Sequence, residues 1–431
     1  MRRIFGSILM TIIMIHTAVA QQKIWTFQAC LDTALRRNIT VNQVRLSNEN
    51  NRISLAQSKA NRIPSLDASA GQNVNFEKYV NPISSITSFS VNSGLDLFNG
   101  LQNNMTIRQE RMNIDAGQFD IEKAKNDLIL NITSAYLQVL FSNEILATTR
   151  SQADADAVQV DRTGKMVDAG KVPESNLFQI KSQYATDKLA IVNAQGQLDI
   201  AKVTLMQLME IPVMDSFEIE KPNLEEPTML LLRSNNDIYQ KALTVQPQIA
   251  GASVRTNAAL LGIKIYQGAY WPRLSLSGNI NTDYAGIRTK DPFFTQFWNH
   301  FGENIGLNLS IPIYSNRQVK SNVERAKVNS LNTRLIEQNT KNQLRKSIEQ
   351  SYTDLKNALN KYFATKEQYA AAEDSYKNME KKYNVGLVAA IDYLLEKNNF
   401  YQAQSNMIQS KYDYFFKQKI LDFYEGKAIV F

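Results

Sequence analysis

Apolar and aromatic residues recur at every seventh position along much of the chain. The longest unbroken run consists of Ile348, Leu355, Tyr362, Tyr369, Tyr376 and Tyr383. After the turn sequence Asn384-Val385-Gly386-Leu387, a second run follows at Tyr393, Phe400, Met407, Tyr414 and Leu421. Seven residues make nearly two turns of an α-helix, so each run predicts a coiled-coil seam. Because glycine is common just past a helix end, the pattern predicts a long antiparallel helical hairpin with its tip at Gly386.

The same pattern occurs earlier in the chain. The equivalent seams are Ile132, Val139, Leu146, Ala153, Val160 and Val167, and then Leu177, Tyr184, Ile191, Leu198 and Leu205. Ile63-Pro64-Ser65-Leu66 corresponds to Trp271-Pro272-Arg273-Leu274 at an offset of about 208 residues. Gly170 corresponds to Gly386 at an offset of about 216, because the second copy has about eight extra residues near 285–300. Agreement of both seams across the copies indicates an internal duplication.

Each copy predicts a helix, two strands, a long helix and a shorter helix, in that order. The first repeat, residues 21–210, has helix 29–62, strands 64–76 and 88–98, and helices 101–166 and 174–210. The second repeat, residues 238–423, has helix 238–270, strands 273–284 and 303–313, and helices 316–384 and 389–423. At 1.5 Å per residue, each long helix measures roughly 100 Å, which matches the two shorter helices of its copy placed end to end.

The four predicted strands alternate between apolar and polar residues. Their apolar positions are Leu66, Ala68, Ala70, Val74 and Phe76; Phe89, Val91, Leu95 and Leu97; Leu274, Leu276, Ile280 and Tyr284; and Ile305, Leu307, Leu309, Ile311 and Ile313. Segments of about ten residues with this pattern suit a membrane β-barrel wall, with lipid on one side and water on the other. A soluble sheet with one face on a core is the alternative. Aromatic residues at the segment ends favour the membrane wall: Phe76, Tyr79, Trp271, Tyr284, Phe98 and Tyr314.

Four strands cannot close a barrel, and lipid does not tolerate open strand edges. The chain is therefore expected to oligomerise, and two or three protomers would supply eight or twelve strands. The strands are joined by loops at 77–88 and 285–304, and the second loop contains Phe293, Phe294, Phe297, Trp298 and Phe301. These aromatic residues either cap the outer mouth of the barrel or simply pack the loop.

The first residues favour export. Basic Arg2 and Arg3, an apolar stretch and Ala18-Val19-Ala20 predict a signal peptide over residues 1–20, although an N-terminal membrane anchor is the alternative. The remaining chain has a net charge of about +5, too small over this length to indicate binding of nucleic acid. The sequence has a single cysteine, one histidine beyond the signal peptide and no phosphate-binding glycine loop. It therefore gives no support for an enzyme, for a bound cofactor or for a metal site.

The duplicated plan and its local motifs resemble the TolC-like outer-membrane efflux proteins, also called outer membrane factors. The motifs are Ala34-Leu35-x-x-Asn38, Ile63-Pro64-x-Leu66, Leu97-Phe98-Asn99-Gly100, and Tyr383-x-x-Gly386 followed by Asp392. The resemblance implies a homotrimer whose twelve-stranded barrel continues into a helical tunnel in the periplasm. It also implies outer-membrane lipid as surroundings, and a periplasmic adaptor with an inner-membrane transporter of the RND or ABC class as partners.

The resemblance also assigns roles at the hairpin tips. Adaptor docking is expected at Gly170, Lys171, Val172, Gly386, Leu387 and Val388. Asp392 lies where relatives carry an entrance carboxylate, and its first-repeat equivalent is Asn176. Val388 stands where gating networks can have a basic residue, so only a ring of Asp392 carboxylates is expected. Asp392 alternatively complements the helix dipole. Tyr383 is a gate candidate, or else the last packing residue of its seam.

Residues 211–237 link the repeats, and residues 424–431 follow the second. Short strands are expected at Phe217-Glu218-Ile219 and Ala428-Ile429-Val430-Phe431, paired in a collar around the tunnel, with Phe431 as a packing residue. The fold class is thus an α+β membrane protein with a shared barrel and an antiparallel helical tunnel. The favoured function is a passive export channel with a gated entrance. A periplasmic or surface coiled-coil scaffold without a pore is the alternative.

Overall fold

The computed structural model of the protein describes residues 24–76, 84–228, 234–286 and 291–431. The predicted signal peptide and Tyr79 lie outside these residues. The helices are α1 (Phe27–Arg37), α2 (Ile39–Ala60), α3 (Gln102–Asp168), α4 (Glu174–Leu208), α5 (Asn235–Val245), α6 (Pro247–Gly268), α7 (Phe293–Asn299), α8 (Gln318–Asn384) and α9 (Ala390–Tyr424). The strands are β1 (Ile24–Trp25), β2 (Ser65–Asn75), β3 (Ser84–Asn99), β4 (Glu218–Ile219), β5 (Arg273–Ala285) and β6 (Gly302–Ser310).

The first predicted helix of each repeat is in fact two helices, so the expectation of single helices over 29–62 and 238–270 was wrong. Asn38 separates α1 from α2 with an extended ψ of 126°, and its side-chain Oδ1 accepts a hydrogen bond from the backbone N–H of Val41 at 3.1 Å. Asn38 therefore ends one helix and caps the next. In the second repeat Pro247 begins α6, and proline disfavours helical geometry in the preceding residue, Gln246.

The backbone repeats its unusual conformations at a constant offset. Among the described residues, positive φ angles occur in four pairs that are each 216 positions apart: Gly100 and Asn316, Leu101 and Arg317, Gly170 and Gly386, and Glu210 and Gly426. These positions lie at the strand-to-helix junctions, the hairpin tips and the ends of the shorter helices. The duplication inferred from the seams is thus present in the conformation of individual residues.

One compact unit of the chain contains the large sheet and consists of residues 43–122 and 247–342. Its strands are antiparallel in the order β2-β3-β5-β6. One face carries the apolar residues of the alternation, and the other carries serine, asparagine and aspartate. A β-bulge between Asp96 and Phe98 places Phe98 opposite Leu274, so Phe98 replaces Leu97 on the apolar side, contrary to the expected alternation.

The other compact unit is helical and consists of the described residues up to 42, residues 123–246 and residues 343–431. Its main core packs Cys30, Ile132, Tyr136, Leu205 and Phe217, which are all buried. Each unit therefore draws corresponding parts from both repeats. In the part of the chain that the structure describes, no helix combines the length and the apolar character needed to cross a membrane.

The predicted collar pairing was wrong in its partner. Strand β4 pairs in parallel with β1, through Ile24 with Glu218 and Trp25 with Ile219, while the last residues of the chain are not in a strand. Phe431 instead packs its ring on Phe27 and Tyr136, with centroids 4.7 and 5.9 Å away. The C-terminus is thus held by ring packing of Phe431 and not by backbone hydrogen bonds to a strand, and β1 takes the place beside β4 that the C-terminus was expected to fill.

Candidate functional site

The two hairpin tips have the same hydrogen-bonded turn. Gly170 has a φ of 67°, its N–H donates to the carbonyl of Val167 at 2.8 Å, and the N–H of Lys171 donates to Met166 at 2.9 Å. Gly386 has a φ of 80°, with the equivalent bonds to Tyr383 and from Leu387 to Lys382, both at 3.0 Å. This is the Schellman motif, which requires a left-handed residue after the helix. Glycine at these two positions is therefore explained by the backbone alone.

The predicted docking residues lie at these tips but differ in exposure. Gly170, Lys171, Gly386 and Leu387 are exposed, and Leu387 presents 75% of its surface. Val172 and Val388 are half-buried. Val388 packs against a small core formed by Ile180, Tyr383, Ala390, Tyr393 and Leu394. The second tip thus combines an exposed apolar side chain, Leu387, with a base that packs against the core through Val388.

The three gate candidates have different environments. Asp392 is exposed in the first turn of α9, and its first-repeat equivalent Asn176 is half-buried near the start of α4. Tyr383 is completely buried, and its hydroxyl lies 3.2 Å from the hydroxyl of Thr163 on α3. Its ring stacks on Tyr393 with centroids 4.8 Å apart. The structure therefore does not gather Tyr383 and Asp392 into one polar cluster within the chain.

The tyrosines of the seam continue behind Tyr383. The hydroxyls of Tyr376 and Tyr393 are 3.3 Å apart, and the ring of Tyr376 stacks on Phe400 with centroids 5.1 Å apart. Burial raises the pKa of Tyr376, Tyr383 and Tyr393, so these phenols stay neutral at physiological pH. Neutral stacked rings with hydrogen-bonded hydroxyls are what the packing alternative for Tyr383 requires.

A buried charge cluster that the sequence analysis missed lies deeper in the same unit. Lys397 of α9 has no exposed surface, and its Nζ lies 3.0 Å from Oδ2 of Asp187 on α4. It also contacts Oδ2 of Asp156 on α3. Both carboxyl groups are buried, and Oδ1 of Asp187 accepts a hydrogen bond from Gln183 at 2.8 Å. Three helices from the two repeats are joined by one ammonium group.

The two carboxyl groups of this cluster have opposite proton affinities. Burial, followed by the hydrogen bond to Asp187, raises the pKa of Asp156 to about 7. Burial also opposes ionisation of Asp187, but the hydrogen bond from Asp156 and the charge of Lys397 outweigh it and lower the pKa of Asp187. The pair therefore shares one proton near neutral pH, which leaves one buried ion pair and one neutral acid.

The sequence did contain a signal for this cluster. Asp156 and Asp187 each follow a seam residue by three positions, and Lys397 follows one by four. These are the second core positions of the heptads, where apolar residues are normal. Opposite charges at core positions of three helices indicate a buried ionic contact, but the sequence does not show which helices meet.

Comparison with known proteins identifies the family of this fold. The sequence profile of the outer membrane efflux protein family matches residues 30–209 and 238–422. The chain is 26% identical over 298 residues to the outer membrane protein TolC of Escherichia coli strain K12, across 68% of this chain and 59% of TolC. The chain thus spans less than two thirds of the length of that relative.

Two solved structures share the fold at low sequence identity. A crystal structure of CusC, described as a transmembrane channel, has a TM-score of 0.80 at 17% identity and covers 93% of this chain and 92% of that one. The outer membrane protein VceC from Vibrio cholerae has a TM-score of 0.76 at 16% identity and covers 93% of this chain and 96% of that one. The fold class and the TolC-like resemblance predicted from the sequence are confirmed.

Proposed function

The chain belongs to the outer membrane efflux protein family, and from this premise we propose that it forms an outer-membrane channel through which solutes are exported. Membership places the protein in the outer membrane and in a class of channels, not of enzymes. Relatives carry the names toxin and drug export protein A and pyoverdine export outer membrane protein OpmQ. The proposed cargo is accordingly drugs, toxic compounds or secreted molecules.

The observation that supports this proposal most directly is the two-faced sheet. On its apolar face Leu66, Ile305 and Leu307 expose 75%, 85% and 69% of their surface. On the opposite face the hydroxyls of Ser69 and Ser90 are 2.8 Å apart, and the Arg273 guanidinium binds Asp96 at 2.8 Å. A wall with lipid on one side and water on the other accounts for both faces.

The open edges of the sheet support an oligomer. Strands β2 and β6 are its edge strands, and unpaired backbone groups are costly within lipid. Three chains would close a barrel of twelve strands, which is wide enough for a pore. We therefore propose a homotrimer. At the periplasmic end, the hairpin tips with Leu387 and Lys171 would meet an adaptor protein that connects the channel to an RND or ABC transporter.

The entrance is proposed to be gated at the same tips. Threefold symmetry would place three Asp392 carboxylates in a ring at the start of α9, where they attract cations into the entrance. Asp392 is exposed and therefore available for this role. The alternative, a scaffold without a pore, uses the helical hairpins but leaves the exposed apolar face of the sheet unexplained.

A matched pair of substitutions on neighbouring residues of β6 tests the channel. Leu307 lies on the apolar face and Asn308 on the polar face, and both are exposed. Leu307→Arg is expected to impair membrane insertion, since an arginine facing mid-bilayer lipid costs about 2–4 kcal/mol. Asn308→Arg should insert normally and shift the conductance towards anions. Membrane fractionation and planar-bilayer recording measure both effects.

The outcome decides between the two functions. Stable conductance from the wild-type chain, lost with Leu307→Arg and altered with Asn308→Arg, supports the channel. A wild-type chain that stays soluble without detergent and never conducts would instead support the scaffold.

A further inference from the structure

The connection between β5 and β6 contains α7, whose sequence Phe293-Phe294-Thr295-Gln296-Phe297-Trp298-Asn299 has no charge. The helix lies against the sheet. Oγ1 of Thr282 donates a hydrogen bond to the carbonyl of Phe297 at 2.6 Å, and the rings of Phe89 and Phe297 have centroids 6.2 Å apart. Thr282 is opposite Phe89 in the strand register, so α7 lies on the apolar face.

A buried amide fixes α7 in this position. Gln296 exposes only 2% of its surface, and its Oε1 accepts a hydrogen bond from the backbone N–H of Ala285 at 3.0 Å. Its Nε2 donates to the carbonyl of Asp291 at 2.8 Å. Beyond the helix, Nδ1 of His300 lies 3.1 Å from the carbonyl oxygen of Asp283. Polar contacts from the middle of α7 and from just beyond its C-terminal end thus hold it to β5, and these contacts make its orientation specific.

The outer side of α7 is aromatic and exposed. Phe294 and Trp298 expose 74% and 67% of their surface, and Phe301, just after the helix, exposes 41%. The rings form a continuous chain, with Phe293 and Phe294 at 5.4 Å and Phe297 and Trp298 at 5.7 Å between centroids. Holding Phe294 and Trp298 outward is unfavourable in water, because most of their apolar surface stays exposed to solvent.

The aromatic side of α7 is continuous with the apolar face of the strands. Phe297 and Phe301 line a mostly apolar groove together with Ala68, Val91 and Ile280 of that face. Since the proposed function assigns this face to lipid, the surface of α7 meets the same bilayer. The helix lies at the end of the sheet away from the strand-to-helix junctions, where β5 ends and β6 begins. In the proposed channel, whose helical part lies in the periplasm, that end is on the side of the outer leaflet.

We propose that α7 is an interfacial anchor, which inserts Phe294 and Trp298 between the acyl chains and headgroups of the outer leaflet. Short uncharged segments with tryptophan and phenylalanine prefer this depth, because the rings are apolar and the indole N–H still reaches a polar partner. The anchor would fix the depth of each protomer in the membrane from outside the barrel wall. The inference rests on the proposed channel function.

Tryptophan fluorescence tests the anchor with substitutions at exposed positions only. The described chain has Trp25 buried in the helical unit, and Trp271 and Trp298 exposed on the sheet unit. Trp271→Phe leaves Trp298 as the exposed indole, and the double variant Trp271→Phe/Trp298→Phe is its matched control. Both full-length proteins are reconstituted in phosphatidylcholine vesicles with and without acyl-brominated lipid, and conductance is recorded from the same preparations.

We expect brominated lipid to quench up to about half of the Trp271→Phe emission, because one of its two tryptophans would lie at lipid depth. The double variant should lose none. If a conducting Trp271→Phe channel emits equally with and without bromine, the anchor is overturned and the channel function is retained. Trp298 would then face water or a neighbouring subunit. Quenching without conductance would support the anchor and overturn the channel. The absence of both quenching and conductance would overturn both proposals.

Discussion

Removal of the Lys397 ammonium should expose how strongly the buried charge cluster stabilises the helical unit. In Lys397→Met the side chain keeps its approximate length but loses the charge that contacts Asp156 and Asp187. Because the two carboxyl groups share one proton near neutral pH, the variant retains about one uncompensated buried charge. Breaking a buried ion pair by removing one partner costs about 3–5 kcal/mol. The loss should lie near the lower limit, since the second carboxyl can also take up a proton.

Two variants control this measurement. Lys181 is the first-repeat equivalent of Lys397 and is exposed, so Lys181→Met should change the free energy of unfolding by less than about 0.5 kcal/mol. Adding Asp187→Asn to Lys397→Met removes the uncompensated charge and should restore much of the loss. The assay is amide hydrogen exchange of peptides from α4 and α9 in the detergent-solubilised protein. Equal protection of these peptides in wild type and Lys397→Met would refute the reasoning.

The same cluster predicts a dependence of stability on pH. Asp156 has a raised pKa in the fold, from an ordinary value of 3.8 to about 7, so the folded state holds a proton that the unfolded chain has released. Its contribution to stability is therefore lost as pH rises through 7. Asp187, with its lowered pKa, acts oppositely, and its contribution is lost only when the pH falls below the ordinary carboxyl range.

Between pH 6 and pH 8.5, wild type should lose about 1 to 2 kcal/mol of stability in this region, after correction for intrinsic exchange rates. Tyr376, Tyr393 and Tyr401 adjoin the cluster, but burial raises their pKa and they do not titrate in this window. Asp156→Asn should abolish the loss, whereas Asp154→Asn, at an exposed neighbouring position, should retain it. The same pH slope in Asp156→Asn and wild type would show that another group titrates.

Three further predictions concern the hairpin tips. Asp392→Asn should lower the cation-to-anion permeability ratio severalfold in bilayer recordings, and an unchanged ratio would exclude an entrance ring. Tyr383→Phe should destabilise the tip by about 1 kcal/mol through loss of the hydrogen bond to Thr163, with unchanged conductance if Tyr383 is a packing residue. Gly386→Ala should destabilise by about 1–2 kcal/mol, because of its φ of 80°. Gly164→Ala, near the C-terminal end of α3, should instead stabilise by up to about 1 kcal/mol, although the added methyl group meets no atom within 4 Å at either position.

The parts of the fold that the sequence predicted are those with a periodic cause. An apolar residue at every seventh position indicates the packed side of a helix, and an apolar residue at every second position indicates the apolar face of a strand. The duplication provides each pattern twice. The long helices and the two-faced sheet follow from these periods. The break at Asn38 has no such period, because a single side chain caps the next helix there.

Pairing between distant segments was not predictable from local pattern. The segment Phe217-Glu218-Ile219 was correctly expected to include a strand, but its partner is Ile24–Trp25 and not the C-terminus. The contact between Lys397 and two aspartates on other helices depends in the same way on which helices adjoin. At the candidate site, the tip residues followed from the glycine turns, whereas the burial of Tyr383 needed the structure.

The pairing of β1 with β4 has a consequence for the order in which the protein can form. The two strands are about 190 residues apart in the chain, so their ladder has a very high contact order and a large closure entropy. If the chain leaves the inner membrane with its N-terminus first, Ile24 and Trp25 stay unpaired until the whole first repeat has crossed, because their partners Glu218 and Ile219 follow that repeat. The short parallel ladder of β1 and β4 would then form only after the first repeat is complete, and it could form before the second repeat has crossed.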